Sequence, residues 1–293
     1  MKTVCLKIAE FNVRVTVADD KWLLPSNYTP FYADEMKKSD FLMEVVVGNK
    51  FKEEKNFSLL GSFDELGFKQ EVYSCVDGGY VFRIFDMSGR IATQMFSNVD
   101  FTYNEICLAD LDEATMSFGF NNAMMIAFAF SSAYHSTLTM HSSVVEKDGR
   151  GYLFLGKSGT GKSTHSSLWL KHIANTHLLN DDNPVLRVID DKVFVYGSPW
   201  SGKTPCYKQR KAEVGALVML EQKPYNYIER QSVVNALSSL MCSCSIMIWD
   251  KPSYNSIMNT MSEVITFVPI YHLSCLPDKE AAELSYKTIV KVV

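Results

Sequence analysis

The stretch 153–182, LFLGKSGTGKSTHSSLWLKHIANTHLLNDD, constrains this chain more than any other part of it. Residues 156–163 fit the pattern G-x-x-x-x-G-K-[S/T], a glycine-rich loop whose backbone N–H groups surround a phosphate. The apolar run 151–155 predicts a strand entering the loop, and residues 163–171 predict a helix leaving it. Phosphate binding requires that order, because the helix N-terminus adds partial positive charge. The stretch therefore predicts a nucleotide-phosphate site.

Each position of this loop has an expected task. Lys162 is expected to reach the outer phosphates, and the Ser163 hydroxyl is expected to hold Mg²⁺. Glycines are expected where backbone N–H groups must turn inward. The other candidate nucleotide-binding residues are Gly156, Ser158, Gly159, Thr160, Gly161 and Thr164.

An acid pair, Asp181-Asp182, ends the apolar segment 178–180 shortly after the predicted loop helix. An acid at a strand tip beside a phosphate loop can hold Mg²⁺, and its neighbour can deprotonate an attacking hydroxyl. The alternative is a solvated turn, because Asn-Asp-Asp-Asn-Pro is also typical of turns. The position favours the first interpretation. The second pair, Asp190-Asp191, lies between two short predicted strands and is interpreted as a turn.

Two further features are candidates for the phosphate site. His141 lies on the strand before the loop strand, where a single histidine is more often a core residue. Lys203, Lys208 and Arg210 lie in a polar loop that also carries glycine and proline. This loop could close as a cationic clamp on the phosphates, or it could be an ordinary solvated loop.

Composition bounds the class of protein. The chain has 293 residues, 47% of them hydrophobic, and a net charge of -4, which suits one large or two medium globular domains. The mild acidity argues against nucleic acid as a partner. Seven scattered cysteines favour reduced thiols in a cytoplasmic protein, and the charged N-terminal run is not a secretory signal. The uncharged stretch 114–145 favours a buried helix and strand over a membrane span.

The pattern along the chain predicts two domains. Residues 1–109 look β-rich, with three to five antiparallel strands and a hairpin turn at Asp77-Gly78-Gly79. Residues 110–293 alternate helices with strands and hairpins, which predicts a mixed sheet. The predicted fold class is therefore α/β (α+β).

The run GKSGTGKSTHS (156–166), the Asp181-Asp182 pair and His141, fifteen residues before Gly156, together resemble the C-terminal domain of HPr kinase/phosphatase. They also resemble the nucleotide core of ATP-dependent phosphoenolpyruvate carboxykinase. The resemblance covers residues 135–185, extends in outline to the C-terminus and is not visible in residues 1–108. It implies a mixed-sheet nucleotide-binding core of that type with a smaller β-rich N-terminal domain.

The same resemblance implies an ATP-dependent phosphotransferase acting on a Ser or Thr hydroxyl of a protein, peptide or small molecule. The resemblance implies that Asp181 is the base, that Asp182 is its metal-side or structural neighbour, and that His141 lies near the transferred phosphate or a metal. A homo-oligomer is also compatible with it. Two alternatives remain: a catalytically silent nucleotide-binding regulator, and a bifunctional kinase/phosphorylase. A carboxykinase proper is disfavoured, since the chain is much shorter and no oxaloacetate-binding arginine set is identifiable.

Overall fold

The chain forms two compact units in a computed structural model, Met1–Ser132 and Ala133–Val293. The structure describes residues 1–18, 22–34, 37, 40–48, 51, 57–65, 68–76, 78–202 and 204–290. Both units contain a mixed sheet and few helices, so the protein has a two-unit α/β fold. Within these ranges, none of the helices combines the length and the apolar character that a membrane crossing needs.

The first unit is built on one sheet, with nine strands among the described residues. They are β1 (Lys2–Ile8), β2 (Phe11–Val17), β3 (Tyr32–Ala33), β4 (Phe41–Gly48), β5 (Phe57–Glu65), β6 (Phe68–Cys75), β7 (Tyr80–Phe85), β8 (Ile91–Ser97) and β9 (Tyr103–Leu108). Their order is β3-β1-β2-β4-β9-β8-β7-β6-β5. A short 3-10 helix, Ser26–Phe31, precedes β3.

The prediction of three to five antiparallel strands for this region was wrong. The sheet is larger, and β4 runs parallel to both β2 and β9. The β4–β9 pair joins segments far apart in sequence, a pairing that no local pattern can reveal. The predicted hairpin is present between β6 and β7, where Gly78 and Gly79 have φ of 87° and 83°. Asp77, the first residue of that turn, lies outside the described residues.

Helix α1 (Glu113–Ala133) follows this sheet, as the uncharged stretch predicted. The Asp112 carboxylate accepts a hydrogen bond from the Thr115 N–H at 3.0 Å, so an acid caps its first turn. Aromatic residues of the helix contact the strands: the Phe128 ring lies 6.1 Å from Phe11. The structure therefore groups the helix with the first unit, whereas the predicted boundary at residues 109/110 separated them.

The second unit contains the remaining strands. They are β10 (Thr137–Thr139), β11 (Ser142–Lys147), β12 (Arg150–Leu155), β13 (Thr176–Asp182), β14 (Val185–Ile189), β15 (Lys192–Tyr196), β16 (Lys211–Gln222), β17 (Tyr227–Arg230) and β18 (Ile270–Cys275). The order β10-β14-β15-β16-β12-β11-β13 is extended by β18, which pairs with β16 and β17. Strands β12 and β18 run parallel to β16, and the other pairs are antiparallel. This is the mixed sheet that the sequence predicted.

Four helices cover the two faces of this sheet: α2 (Lys162–His172), α3 (Val233–Met241), α4 (Lys251–Phe267) and α5 (Lys279–Ile289). Alternate residues of β12 lie on opposite faces of the sheet, because the side-chain period of a strand is two. Leu153 and Leu155 belong to the core shared with α3 and α4. Tyr152 and Phe154 belong to the core shared with α2 and α5. The sheet is thus a middle layer between two helix pairs.

Candidate active site

Three adjacent strands bring the predicted site residues to one edge of the second sheet. Ser142, at the start of β11, is the register partner of Leu155, which ends β12. Ser142 is also the partner of Asp182, which ends β13. The loop that follows β12, His141 before β11 and the acid pair therefore emerge side by side. The acid pair forms the tip of a strand, and the solvated-turn alternative is wrong.

The loop between β12 and α2 has the backbone that its glycines allow. Gly161 immediately precedes α2 with φ of 101°, a left-handed conformation that costs a side-chain-bearing residue free energy. At Gly156 a Cβ would lie 2.8 Å from the Thr160 Oγ1. Gly161 is favoured by its positive φ, and Gly156 by a φ of 146° together with the close approach of Thr160.

Lys162, the first residue of α2, turns its side chain back over this loop. Its Nζ donates to the carbonyl oxygens of Gly156 at 2.8 Å and Lys157 at 3.3 Å. Burial lowers the pKa of Lys162, and the nearby carboxylates of Asp182 and Asp181 oppose that shift. The ammonium group is therefore held within the loop, beside the acid pair.

Gln222 supports the loop from a neighbouring strand. It ends β16, the parallel neighbour of β12, and its Nε2 donates to the carbonyls of Gly159 at 3.2 Å and Thr160 at 3.3 Å. These bonds fix two peptide groups of the loop. The sequence analysis did not identify Gln222, because nothing local distinguishes a glutamine 61 residues after Gly161.

His141 and Asp182 form a contact at the open side of the site. The His141 Nε2 lies 3.5 Å from the Asp182 Oδ1, and the histidine side chain is 46% exposed. His141 is therefore not a core residue. Burial raises the pKa of Asp182, and the charges of His141 and Lys162 oppose the shift. The Asn183 amide donates to the other oxygen of Asp182 at 2.8 Å.

Asp181 precedes Asp182 on β13 and is the more buried of the two. It is 3% exposed, and its Oδ1 has no hydrogen-bond partner among the described residues. Its carbonyl oxygen accepts the Gly202 N–H at 2.7 Å. A buried carboxylate oxygen without a donor is costly, so this atom is a candidate acceptor for the hydrogen-bond donor of a ligand.

The loop after β15 is anchored on the strand that carries the acid pair. The Asn180 amide donates to the Ser198 hydroxyl at 3.2 Å and to the Trp200 carbonyl at 3.1 Å. The Asn180 Oδ1 accepts the Asp182 N–H at 3.0 Å. Trp200 is buried. These contacts order the backbone on both sides of Asp181.

The two described residues of the predicted cationic clamp, Arg210 and Lys208, bind groups away from the phosphate loop. Arg210 forms an ion pair with Glu146, with Nε 2.6 Å from Oε2, and Glu146 lies toward the far end of β11. Glu146 lies four residues along β11 from Ser142, which is about 13 Å. Lys208 donates to the Leu178 carbonyl at 2.9 Å, also away from the strand tips. Lys203 lies outside the described residues.

The oxygen ligands at this edge of the second sheet suit a hard cation such as Mg²⁺. The Ser163 hydroxyl and the Asp182 carboxylate are the oxygen ligands that Mg²⁺ prefers, and Mg²⁺ usually completes its shell with water and substrate phosphates. In the described part of the chain, no cluster of three or more His, Cys, Asp or Glu could hold a metal by itself. Any Mg²⁺ here would therefore share its shell with phosphate oxygens and water.

Comparison with known proteins adds little to this geometry. No family model matches the chain, and no curated protein matches it. Among solved structures, the chain is similar to the HPr(Ser) kinase/phosphatase from Coxiella burnetii, with a TM-score of 0.30 and 13% sequence identity. The match covers 51% of this chain and 91% of that chain. A similarity this low establishes neither a shared fold nor a shared activity.

Proposed function

We propose that the second unit is an ATP-dependent phosphotransferase that moves the γ-phosphoryl group to an alcohol hydroxyl. One observation carries the proposal: the phosphate loop, His141 and the acid pair emerge from the tips of three adjacent strands. Phosphoryl transfer needs a held phosphate, charge neutralisation and a positioned nucleophile. The residue types for all three tasks lie at this edge.

The loop and Lys162 hold the nucleotide phosphates in this proposal. The backbone N–H groups at the start of α2 face incoming negative charge, and the helix dipole adds to their attraction. The Lys162 ammonium, now bonded to loop carbonyls, transfers its hydrogen bonds to phosphate oxygens when ATP enters. Ser163 and Asp182 would hold Mg²⁺, which would supply neutralisation of the β- and γ-phosphate charge.

Asp181 receives the proton of the attacking hydroxyl. Among the described residues its Oδ1 has no hydrogen-bond donor, so a substrate hydroxyl that reaches it gains a partner and loses its proton as the phosphoryl group arrives. Asp182 lies beside Lys162 and His141, which suits the phosphate side of the site. The acceptor is a Ser or Thr hydroxyl of a protein, peptide or small molecule, as the sequence resemblance implies.

Calorimetry of Mg²⁺–ATP binding to the purified protein tests the first step. Lys162→Ala is expected to weaken binding at least tenfold, because it removes the charge inside the loop. Lys171→Ala is the matched control, since Lys171 is an exposed lysine in the last turn of the same helix; its affinity is expected to stay within twofold. Absence of ATP binding by the wild-type protein, or equal binding by Lys162→Ala, would contradict the proposal.

A second measurement separates transfer from binding alone. Asp181→Asn is expected to bind Mg²⁺–ATP like the wild type and to lose at least a hundredfold in γ-phosphoryl transfer to a library of serine and threonine peptides. If the wild-type protein binds ATP but transfers no phosphoryl group to such peptides or to water, it would instead be a catalytically silent nucleotide-binding regulator.

A further inference from the structure

An apolar surface runs along α3 and the segment that follows it. Four large apolar residues of this region are exposed, and we call them the α3 surface: Val233 (70%), Val234 (74%), Met241 (40%) and Ile248 (69%). Residues 232–249 contain no Asp, Glu, Lys, Arg or His. The outer face of a surface helix normally carries charged residues, whereas the core of a protein interface is depleted in them. The α3 surface therefore has the composition of an interface.

Hydrogen bonds join the segment after α3 to the residues that lead into the candidate active site. The His141 N–H donates to the Ser243 carbonyl at 2.7 Å, and the Ser245 N–H donates to the Thr139 carbonyl at 3.2 Å. The two segments run antiparallel. His141 and Ser243 are thus paired directly, with Cα atoms about 5.5 Å apart. This pairing fixes the end of α3 beside the open side of the site, where His141 contacts Asp182.

Chain geometry limits how far the α3 surface lies from His141. Met241 precedes Ser243 by two residues, so its Cα lies within about 13 Å of the His141 Cα. Val234 lies seven residues before Met241, about two helical turns and about 10 Å along the same face of α3. An extended peptide advances about 3.3 Å per residue. A peptide whose hydroxyl lies at His141 can therefore reach Met241 within about four residues and Val234 within about seven.

The shape and charge of the α3 surface indicate what it binds. Small molecules bind in concave sites, whereas an exposed apolar helix face suits a peptide or protein segment. Helices that lie on membranes are rich in Lys and Arg, and residues 232–249 have neither. The pairing with His141 places the surface where a segment bound to it can present a hydroxyl to the site.

We propose that the α3 surface docks the acceptor, a peptide or protein segment with uncharged, apolar side chains about four to seven residues from the phosphorylated Ser or Thr. The inference rests on the proposed function and adds how the acceptor is selected. Transfer itself is unchanged: the acceptor oxygen bonds to the γ-phosphorus, ADP leaves with the bridging oxygen, and Asp181 takes the hydroxyl proton.

The test uses the full chain, Mg²⁺–ATP and three synthetic peptides that each contain one serine. The peptides carry leucine, glutamine or lysine at about four and about seven residues from the serine, on both sides. The kcat/KM for phosphoryl transfer is expected to be at least tenfold higher for the leucine peptide than for the other two, through a lower KM. Fluorescence anisotropy of the labelled peptides measures docking without transfer.

Met241→Lys introduces a charge at the end of the α3 surface beside the site. Leu170→Lys is the matched control, because Leu170 is also 40% exposed and also lies in the last turn of its helix. Its helix, α2, covers the opposite face of the sheet from α3. Met241→Lys is expected to bind and phosphorylate the leucine peptide at least fivefold less well and to keep its Mg²⁺–ATP affinity within twofold. Leu170→Lys is expected to change neither property.

Equal transfer to the three peptides, or unchanged peptide binding in a folded Met241→Lys, overturns the docking proposal and leaves the proposed function intact. An oligomer that Met241→Lys dissociates in analytical ultracentrifugation, without discrimination among the peptides, also overturns it, since the surface then joins copies of the chain. Binding of the leucine peptide that depends on Met241 but leads to no transfer supports the docking surface and overturns the proposed function. Absence of both binding and transfer overturns both.

Discussion

His165 lies in the helix that follows the phosphate loop, and its burial makes the protein sensitive to mild acid. The residue is 3% exposed, and its Nε2 lies 3.0 Å from the Ser285 hydroxyl of α5. Its ring meets the Phe154 ring edge-on, with the centroids 4.6 Å apart. Removal from water disfavours the charged form, so burial lowers the pKa of His165 from 6.5 to about 4.

The sign of the effect follows from proton linkage. The unfolded chain binds a proton on this ring more tightly than the folded chain, so this contribution to stability is present well above pH 6.5 and is lost as pH decreases from about 6.5 to about 4. With these two pKa values, His165 alone costs about 1.4 kcal/mol of stability at about pH 5.5 and about 3 kcal/mol at about pH 4.

NMR titration of the histidine ring signals measures the pKa of His165 directly. His165→Gln identifies the signal by its disappearance, and glutamine keeps a polar group for Ser285 without titrating. The signal is expected to titrate with a midpoint near 4. Between about pH 7 and pH 5.5, the free energy of unfolding measured in urea is expected to fall by about 1.2 kcal/mol less in His165→Gln than in the wild type. A midpoint above about 6 would refute the reasoning, because the ring would then be hydrated.

Two further substitutions test the electrostatics of the site. Burial raises the pKa of Asp182, so its ionised form opposes folding at neutral pH. Asp182→Asn is therefore expected to raise the melting temperature at pH 7 while weakening phosphoryl transfer. The gain in stability should disappear as pH falls and the wild-type carboxyl becomes protonated. Arg210→Ala leaves the buried Glu146 carboxylate unpaired, so it is expected to cost about 1–3 kcal/mol in urea unfolding. ATP affinity should stay within twofold, because Arg210 lies far from the loop. A larger loss of ATP affinity would instead support the predicted cationic clamp.

The first unit shows where local patterns fail. The β6–β7 hairpin was predictable, since its turn depends on two adjacent glycines with positive φ. The extent of the sheet was not, because β4 pairs in parallel with strands on both sides. Parallel neighbours come from distant parts of the chain, and a strand pattern carries no record of its partners. The helix α1 was predicted, but the unit to which it belongs depends on aromatic contacts such as Phe11 with Phe128.

In the second unit, the phosphate loop was predictable from the local sequence. Gly156, Gly161 and Lys162 act through backbone conformation and short-range hydrogen bonds, so their roles are encoded within a few residues. The turn at Asp190-Asp191 was also local, because both aspartates have positive φ, 49° and 59°.

The residues that contact the loop are distant in sequence, so their positions depend on the tertiary structure. Strand register brings His141 to Asp182, and the long strand β16 carries Gln222 back to the loop carbonyls. The same folding sends Arg210 to Glu146, away from the phosphates it was expected to bind. Charge and residue type state what a side chain can do, but the pairing of strands decides which groups it meets.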